Sequence, residues 1–166
     1  ATGGNVVLHR SAMLGTKQHT VNSPATLEAF IDAGQGTSLG AAFDLNGDGI
    51  FKKTGSDVFT HHSSGSDIAM GSGGLIWIAE GSWVFGGATP GTWASNLADF
   101  QVDGGTTVEA RSTTIRVDAL DGAGTIGIGG QVANGGGLIV GVDDGTGTFS
   151  GVIRNTNANG SAYSLE

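Results

Sequence analysis

Residues 104–166 read GGTTVEARSTTIRVDALDGAGTIGIGGQVANGGGLIVGVDDGTGTFSGVIRNTNANGSAYSLE. Short β-branched segments at 106–110, 113–118, 125–128, 138–142 and 148–153 alternate with breaks rich in Gly, Asp and Asn. Apolar anchors return about every ten to twelve residues, at Val117, Ile128, Val140 and then Phe149 to Ile153, the cadence of many short strands joined by tight turns. The stretch therefore specifies an all-β architecture. Two arrangements fit it. Stacked parallel coils would bury Val108, Ile115, Val117, Ile126, Ile128, Val140 and Phe149 against the coils above and below. An antiparallel sandwich would use the Asp103-Gly104, Asp121-Gly122 and Asp144-Gly145 pairs as two-residue hairpin turns.

Composition supports a β-core and narrows the partners. The chain has 166 residues, enough for one domain with a core. It holds 32 Gly against 2 Pro, a ratio that suits tight turns with positive φ better than a stiff linker. Charged residues make up only 13%, which argues against a charge-rich disordered segment. Seven basic residues against 15 acidic ones leave a net charge of −8, a surface that repels nucleic acid and anionic lipid. The longest apolar run, 75–79 (LIWIA), is far too short to span a membrane, so no membrane insertion is expected. Cysteine is absent, and the chain begins Ala-Thr-Gly-Gly without Met, which reads as a mature terminus or an excised fragment.

Outward from the repeat, residues 1–70 form an N-terminal region packed on or capping a Gly-rich β-repeat region at 71–166, together one structural domain. Residues 5–9 read as a strand. A short helix is predicted next: Ser23 is an N-cap type, Pro24 suits the first helical position, Leu27, Phe30 and Ile31 fall on one helical face, and Gly34 supplies a left-handed C-cap.

The stretch DLNGDG then places Asp44, Asn46 and Asp48 at alternate positions before Gly49. Hard oxygen ligands so spaced can curl around one Ca²⁺, with the Ile50 carbonyl as a further ligand. The closing position of such a loop holds Gly55, and Lys52 stands where a ligand or water belongs, so Asp57 would have to close the site. The same residues also serve as Asx-type turns that merely reverse the chain. Both readings stand.

The aromatic zone at 75–100 carries Trp77, Trp83 and Trp93. Trp77 and Trp83 lie inside dense apolar runs and read as core. Trp93, set among Gly91, Thr92 and Ser95, is the candidate ligand-binding residue, an aromatic face for a glycan. His61-His62 point to opposite faces of any strand and read as solvated rather than metal-binding. No GxSxG, HExxH or Walker loop is present, and the Asp residues beside Gly (Asp103, Asp121, Asp143-Asp144) read as turn chemistry. No catalytic residue is assigned.

The Gly-rich stretch 104–166 resembles the autotransporter-associated β-strand repeat of bacterial surface and secreted proteins. Gly147-Thr148-Phe149-Ser150-Gly151-Val152-Ile153 carries the likeness most strongly, with 119–128 (ALDGAGTIGI) as the preceding strand unit. The resemblance implies a right-handed parallel β-helix, exported to the cell surface or secreted, with a structural or adhesive role in a fibre or stalk. Its partners would be neighbouring domains or copies of the same surface protein. A calcium-assisted carbohydrate-binding module meeting glycans through Trp93, and a β-helix polysaccharide-degrading enzyme, are the alternatives.

Overall fold

Alternation with period two, rather than any helical period, organises the chain from its first described residues. The structure is a computed structural model, and it describes residues 3–9, 17–39, 43–61, 65–85, 92–111, 113–129 and 136–155. In chain order, the first coil contributes β1 (Asn5–His9) and β2 (Lys17–Thr20). The next adds β3 (Thr26–Phe30), β4 (Thr37–Leu39) and β5 (Phe43–Gly47), followed by β6 (Ile50–Thr54), β7 (Val58–His61) and β8 (Ile68–Met70). Then come β9 (Leu75–Ile78) and β10 (Ser82–Phe85), and after them β11 (Asp99–Val102), β12 (Thr107–Ala110) and β13 (Thr114–Val117). The chain continues through β14 (Leu120–Gly122), β15 (Thr125–Gly127), β16 (Gly137–Val140) and β17 (Val152–Arg154).

Every strand pairing among the described residues is parallel, and strands pair across coils rather than along the chain. One side of the stack runs β1-β3-β6-β9-β11-β14 and a second runs β17-β15-β12-β10-β7-β4. The third side carries β2-β5-β8 and β13-β16, with an Asp67–Thr92 bridge extending the first of these ladders. The result is a parallel β-solenoid of about five turns. Thr26, Ile50, Leu75 and Asp99 lie in register, which sets successive coil lengths of 24, 25 and 24 residues. The first and second sides both run unbroken from the N-terminal region into the Gly-rich region, so the two parts share one core. The antiparallel sandwich is excluded.

Inward columns fill the stack. On the first side, Leu27, Phe51, Ile76, Phe100 and Leu120 follow one another in register and are all buried. On the second, Phe59, Trp83, Val108 and Ile126 do the same. Aromatic rings interlock between the sides: Trp83 lies 5.2 Å from Phe51, 5.4 Å from Phe59 and 4.1 Å from Phe85 between centroids. Of the columns expected from the repeat, Val108, Ile115, Val117, Ile126 and Ile128 are buried. Phe149 is half-buried against the core, and Val140 is 48% exposed because β16 ends its ladder.

The helix expected after Ser23 is a strand. Residues 26–30 form β3, paired on both sides with β1 and β6. Ala25, Leu27, Ala29 and Ile31 are buried while Thr26, Glu28 and Phe30 are half-exposed, so the i, i+2 alternation outweighs the i, i+3, i+4 triad that suggested a helix. Ser23 caps no helix; its own N–H donates to the Asp48 carboxylate of the following coil. None of the Asp-Gly pairs makes a hairpin: Asp103-Gly104 and Asp144-Gly145 lie at corners, and Asp121-Gly122 closes strand β14, which pairs in parallel with β11. Where coils stack tightly at a corner, glycine is obligatory. At Gly55, φ is +78° and a Cβ would sit 2.1 Å from the Ile31 carbonyl oxygen of the coil beneath.

Candidate functional site

In a solenoid, side chains that point out of a strand form ladders across coils, and those at corners meet the backbone of adjacent coils. This geometry decides what each candidate residue can do. Phe43 and Leu45 of β5 face inward, which places Asp44 and Asn46 together on the outer face, with Asp48 round the following corner. Asp44 accepts the Asp67 N–H at 2.9 Å, and Asp48 accepts the Ser23 N–H at 2.9 Å. The Ile50 N–H donates to the Ala25 carbonyl as β6 begins. Asp57 accepts the Gly36 N–H at 2.9 Å and its neighbour Val58's at 2.7 Å. The residues read as a calcium loop thus lie on an extended strand and two different corners, each aspartate holding a backbone N–H. Among the described residues, no three or more His, Asp or Glu side chains are grouped to hold a metal ion.

Trp93 is not a surface platform. It is 2% exposed, with Phe85 packed edge-on at 4.9 Å, Phe100 at 6.0 Å and Trp83 at 6.2 Å. Its side-chain direction follows the inward parity of the neighbouring ladder, since Thr92 bridges Asp67 and Ile68 is buried. Trp77 is the half-exposed one. It sits in an outer ladder of Glu28, Lys52, Trp77, Gln101 and Asp121. Lys52 Nζ lies 4.0 Å from its ring centroid, and its indole N–H donates to Asp103 at 2.8 Å.

His61 is buried rather than solvated, and it forms a 2.6 Å hydrogen bond with Ser66 Oγ, which also accepts the Phe43 N–H. A serine–histidine pair invites a nucleophilic reading. Ser66 is 1% exposed, however, and the cavity beside it holds about 10 Å³, room for no more than a water. His62 lies outside the described residues. A larger groove of about 240 Å³ opens at the N-terminal end between β1, β2 and β3, lined by Val6, Val21, Ala25 and Leu27 with Gln18 and His19.

The acid excess has a common employment. Besides Asp44, Asp48 and Asp57, Glu80 accepts the Gly55 N–H, Asp99 that of Ala119, and Asp121 that of Thr148. Asp118 accepts two, from Asp143 at 2.8 Å and Gly145 at 2.7 Å. Most of these bonds span 20 to 27 residues, one coil, so carboxylates staple each corner to the next. Asp118→Ala is expected to lower stability by about 1–2 kcal/mol, the usual loss when a side chain that caps backbone N–H groups is removed. Urea unfolding checks it; an unchanged midpoint would show that the corner holds without its carboxylate.

Two carboxylates titrate in opposite senses. The Val58 N–H bond, with further help from the backbone of residues 34–36, holds the Asp57 carboxyl below its usual 3.8. Its contribution is complete above pH 3.8 and is lost as pH falls through the lower folded value. Asp67 is pushed up, first by burial and then by the neighbouring Asp44 charge, and one of its oxygens is buried without a partner. Its ionised form therefore weakens the fold at neutral pH. Asp67→Asn is expected to raise the melting temperature at pH 7 and to make no difference below about pH 3.8, where Asp67 is protonated in both folded and unfolded chains. Equal melting of the two proteins at pH 7 would refute this.

Sequence reasoning missed Lys53. It is fully buried, and the carbonyl oxygens of Thr54 (3.0 Å), Gly55 (2.5 Å), Asp57 (2.7 Å) and Glu80 (2.9 Å) surround its ammonium and share its N–H donors. Burial pushes it down to about 8, against the opposing pull of the Glu80 and Asp57 carboxylates. The available signal was parity: Lys53 stands two residues from Phe51 on the inward face of β6. Comparison with protein-family models, with curated proteins and with solved structures finds no match to this chain.

Proposed function

We propose that this chain is a non-catalytic structural module of a secreted or cell-surface protein, part of an extracellular fibre or stalk, as its resemblance to the autotransporter-associated repeat suggests. One observation carries the reading. All six exposed large apolar residues among the described residues, Val6, Val7, Ile139, Val140, Val152 and Ile153, lie on the terminal strands β1, β16 and β17. Between these strands the corners are capped by carboxylates and the inward columns are filled, so exposed large apolar surface among the described residues is confined to the first and last described coils. A module built this way transmits contact along its axis.

The Asp-rich corners support the same reading, because carboxylates engaged with backbone N–H groups are poorly placed for acid–base work. Incubation with a panel of polysaccharides, with and without calcium, tests it. Neither retention nor newly formed chain ends is the expected result. New chain ends would sink the proposal in favour of a polysaccharide-degrading enzyme. Retention without cleavage would replace it with a carbohydrate-binding module, and dependence on calcium would then point to Asp44 and Asp48.

A further inference from the structure

The corner that joins β6 to β7 is built as an ion shell, and a side chain of the protein itself fills it. Four carbonyl oxygens, of Thr54, Gly55, Asp57 and Glu80, converge on the Lys53 ammonium at 2.5 to 3.0 Å. An ammonium has three N–H donors, so it cannot give each of four oxygens a bond of its own. A spherical cation can meet all four at once, as carbonyl rings do when they replace the hydration shell of potassium. Carbonyls at neighbouring corners are served differently. The Gly49 N–H donates to the Val21 oxygen, and the Ala123 and Gly124 N–H groups both donate to the Val102 oxygen.

Glycine keeps room for the ion. Gly81 has a φ of +69°, and a Cβ there would lie 2.6 Å from the Gly55 oxygen, 2.7 Å from the Asp57 oxygen and 2.7 Å from the ammonium nitrogen. Charge favours a cation in the same place. Glu80 accepts the Gly55 N–H at 2.9 Å and Asp57 accepts the Val58 N–H at 2.7 Å, so two carboxylates stand at one lysine's corner. Glu80 is exposed and Asp57 half-exposed, which places the shell close to solvent although Lys53 itself is buried. The oxygens also select among ions. Calcium takes about six to eight oxygens at about 2.3–2.6 Å, and magnesium about six at about 2.0–2.1 Å. Four neutral carbonyls, the farthest at 3.0 Å, suit a larger monovalent cation.

We propose that the β6–β7 corner is a binding site for a monovalent cation of potassium or ammonium size, which Lys53 occupies with its own tethered ammonium. The lysine makes the corner independent of dissolved ions. Without it, the same oxygens take a cation from solution. The site lies between one coil and the next, so it stands whether the module is structural, glycan-binding or catalytic.

Lys53→Met is the test, because a methionine side chain ends where the lysine ε-carbon lies and vacates the ammonium alone. Urea unfolding of the full chain is followed in potassium, ammonium and tetramethylammonium chloride at equal concentrations, so that ionic strength cancels. Tetramethylammonium carries the same charge but is too bulky for the shell and has no N–H. A ligand that binds only the folded chain lowers the unfolding constant in step with its concentration once that exceeds Kd. Each tenfold rise in potassium or ammonium beyond half-saturation is therefore expected to lower the unfolding constant of Lys53→Met about tenfold relative to tetramethylammonium. Wild type should show no such difference between the salts, since Lys53 holds the site. If Lys53→Met does not fold in tetramethylammonium chloride, refolding in the potassium and ammonium salts becomes the readout, and Lys53→Ala repeats it with a wider opening. Equal unfolding of the variant in all three salts, a potassium effect as large in wild type, or variants that stay unfolded in every salt would each overturn the site.

Discussion

Replacing Lys53 with Met is expected to lower the free energy of unfolding by about 3–5 kcal/mol, because several buried carbonyl oxygens lose their donor at about 1–3 kcal/mol each. The side chain is 0% exposed, and its ammonium serves four carbonyl oxygens around the corner that joins β6 to β7 and reaches to Glu80 of the next coil. The Thr54 carbonyl also accepts the Ile31 N–H, so the oxygens of Gly55, Asp57 and Glu80 bear most of the loss. A buried acceptor left unpaired costs about 1–3 kcal/mol, and Met has nothing to donate. The space cannot be refilled from Gly81, where an added Cβ would meet the Gly55 and Asp57 oxygens at 2.6 and 2.7 Å. Urea unfolding with both midpoint and slope reads the effect. A loss under about 1 kcal/mol would show that the corner does not depend on the ammonium.

The same residue sets a pH dependence of definite sign. An unfolded lysine keeps its proton to about 10.5, while burial lowers the folded value to about 8. Between these values the unfolded chain binds more protons, so stability contributed by this group rises with pH across that window. Lys53→Met should abolish that rise. If the variant keeps the wild-type slope between pH 8 and 10.5, another group is responsible.

Much of the fold was legible in the sequence because two-residue alternation and glycine corners are local features. The strand at 5–9 and the repeat strands within 106–153 emerge close to where the pattern puts them. What alternation does not encode is which strands pair. The Asp-Gly corners that could have made hairpins instead turn the chain by one side of a coil, and the partner lies a whole coil away. The stretch after Ser23 was misread for a related reason. Leu27, Phe30 and Ile31 satisfy a helical face in isolation, but Leu27, Ala29 and Ile31 satisfy a strand that already has edges waiting on both sides. Tertiary pairing overrides local propensity there.

The candidate site was less legible than the fold. Spacing reveals that Asp44, Asn46 and Asp48 alternate, but not that a neighbouring coil supplies N–H groups for the aspartates to cap. Nor does it reveal that the inward side of β6 must accommodate an ammonium. Both facts depend on residues one coil away, such as Ser23 for Asp48 and Glu80 for Lys53.

Trp93 puts this distinction to a direct test. Trp93→Ala is expected to cost about 3–5 kcal/mol, as for other buried large aromatics truncated to Ala, and thereby to lower the melting temperature sharply. The ring is 2% exposed and plugs the third side of the stack, with Phe85, Phe100 and Trp83 around it. Ala would leave a void bounded by three aromatic rings that the rigid ladders on either side cannot collapse to fill. Trp77→Ala supplies the contrast. That ring lies on the outer face, and its loss removes the Lys52 contact and one hydrogen bond to Asp103, worth about 1 kcal/mol together. Thermal melts of the two variants, read beside polysaccharide retention, separate core from platform. A Trp93→Ala protein that melts like wild type but loses retention would restore the glycan-facing role that its sequence context suggested. A large drop in melting temperature for Trp93→Ala, beside a small one for Trp77→Ala, places Trp93 in the interior that holds the coils together.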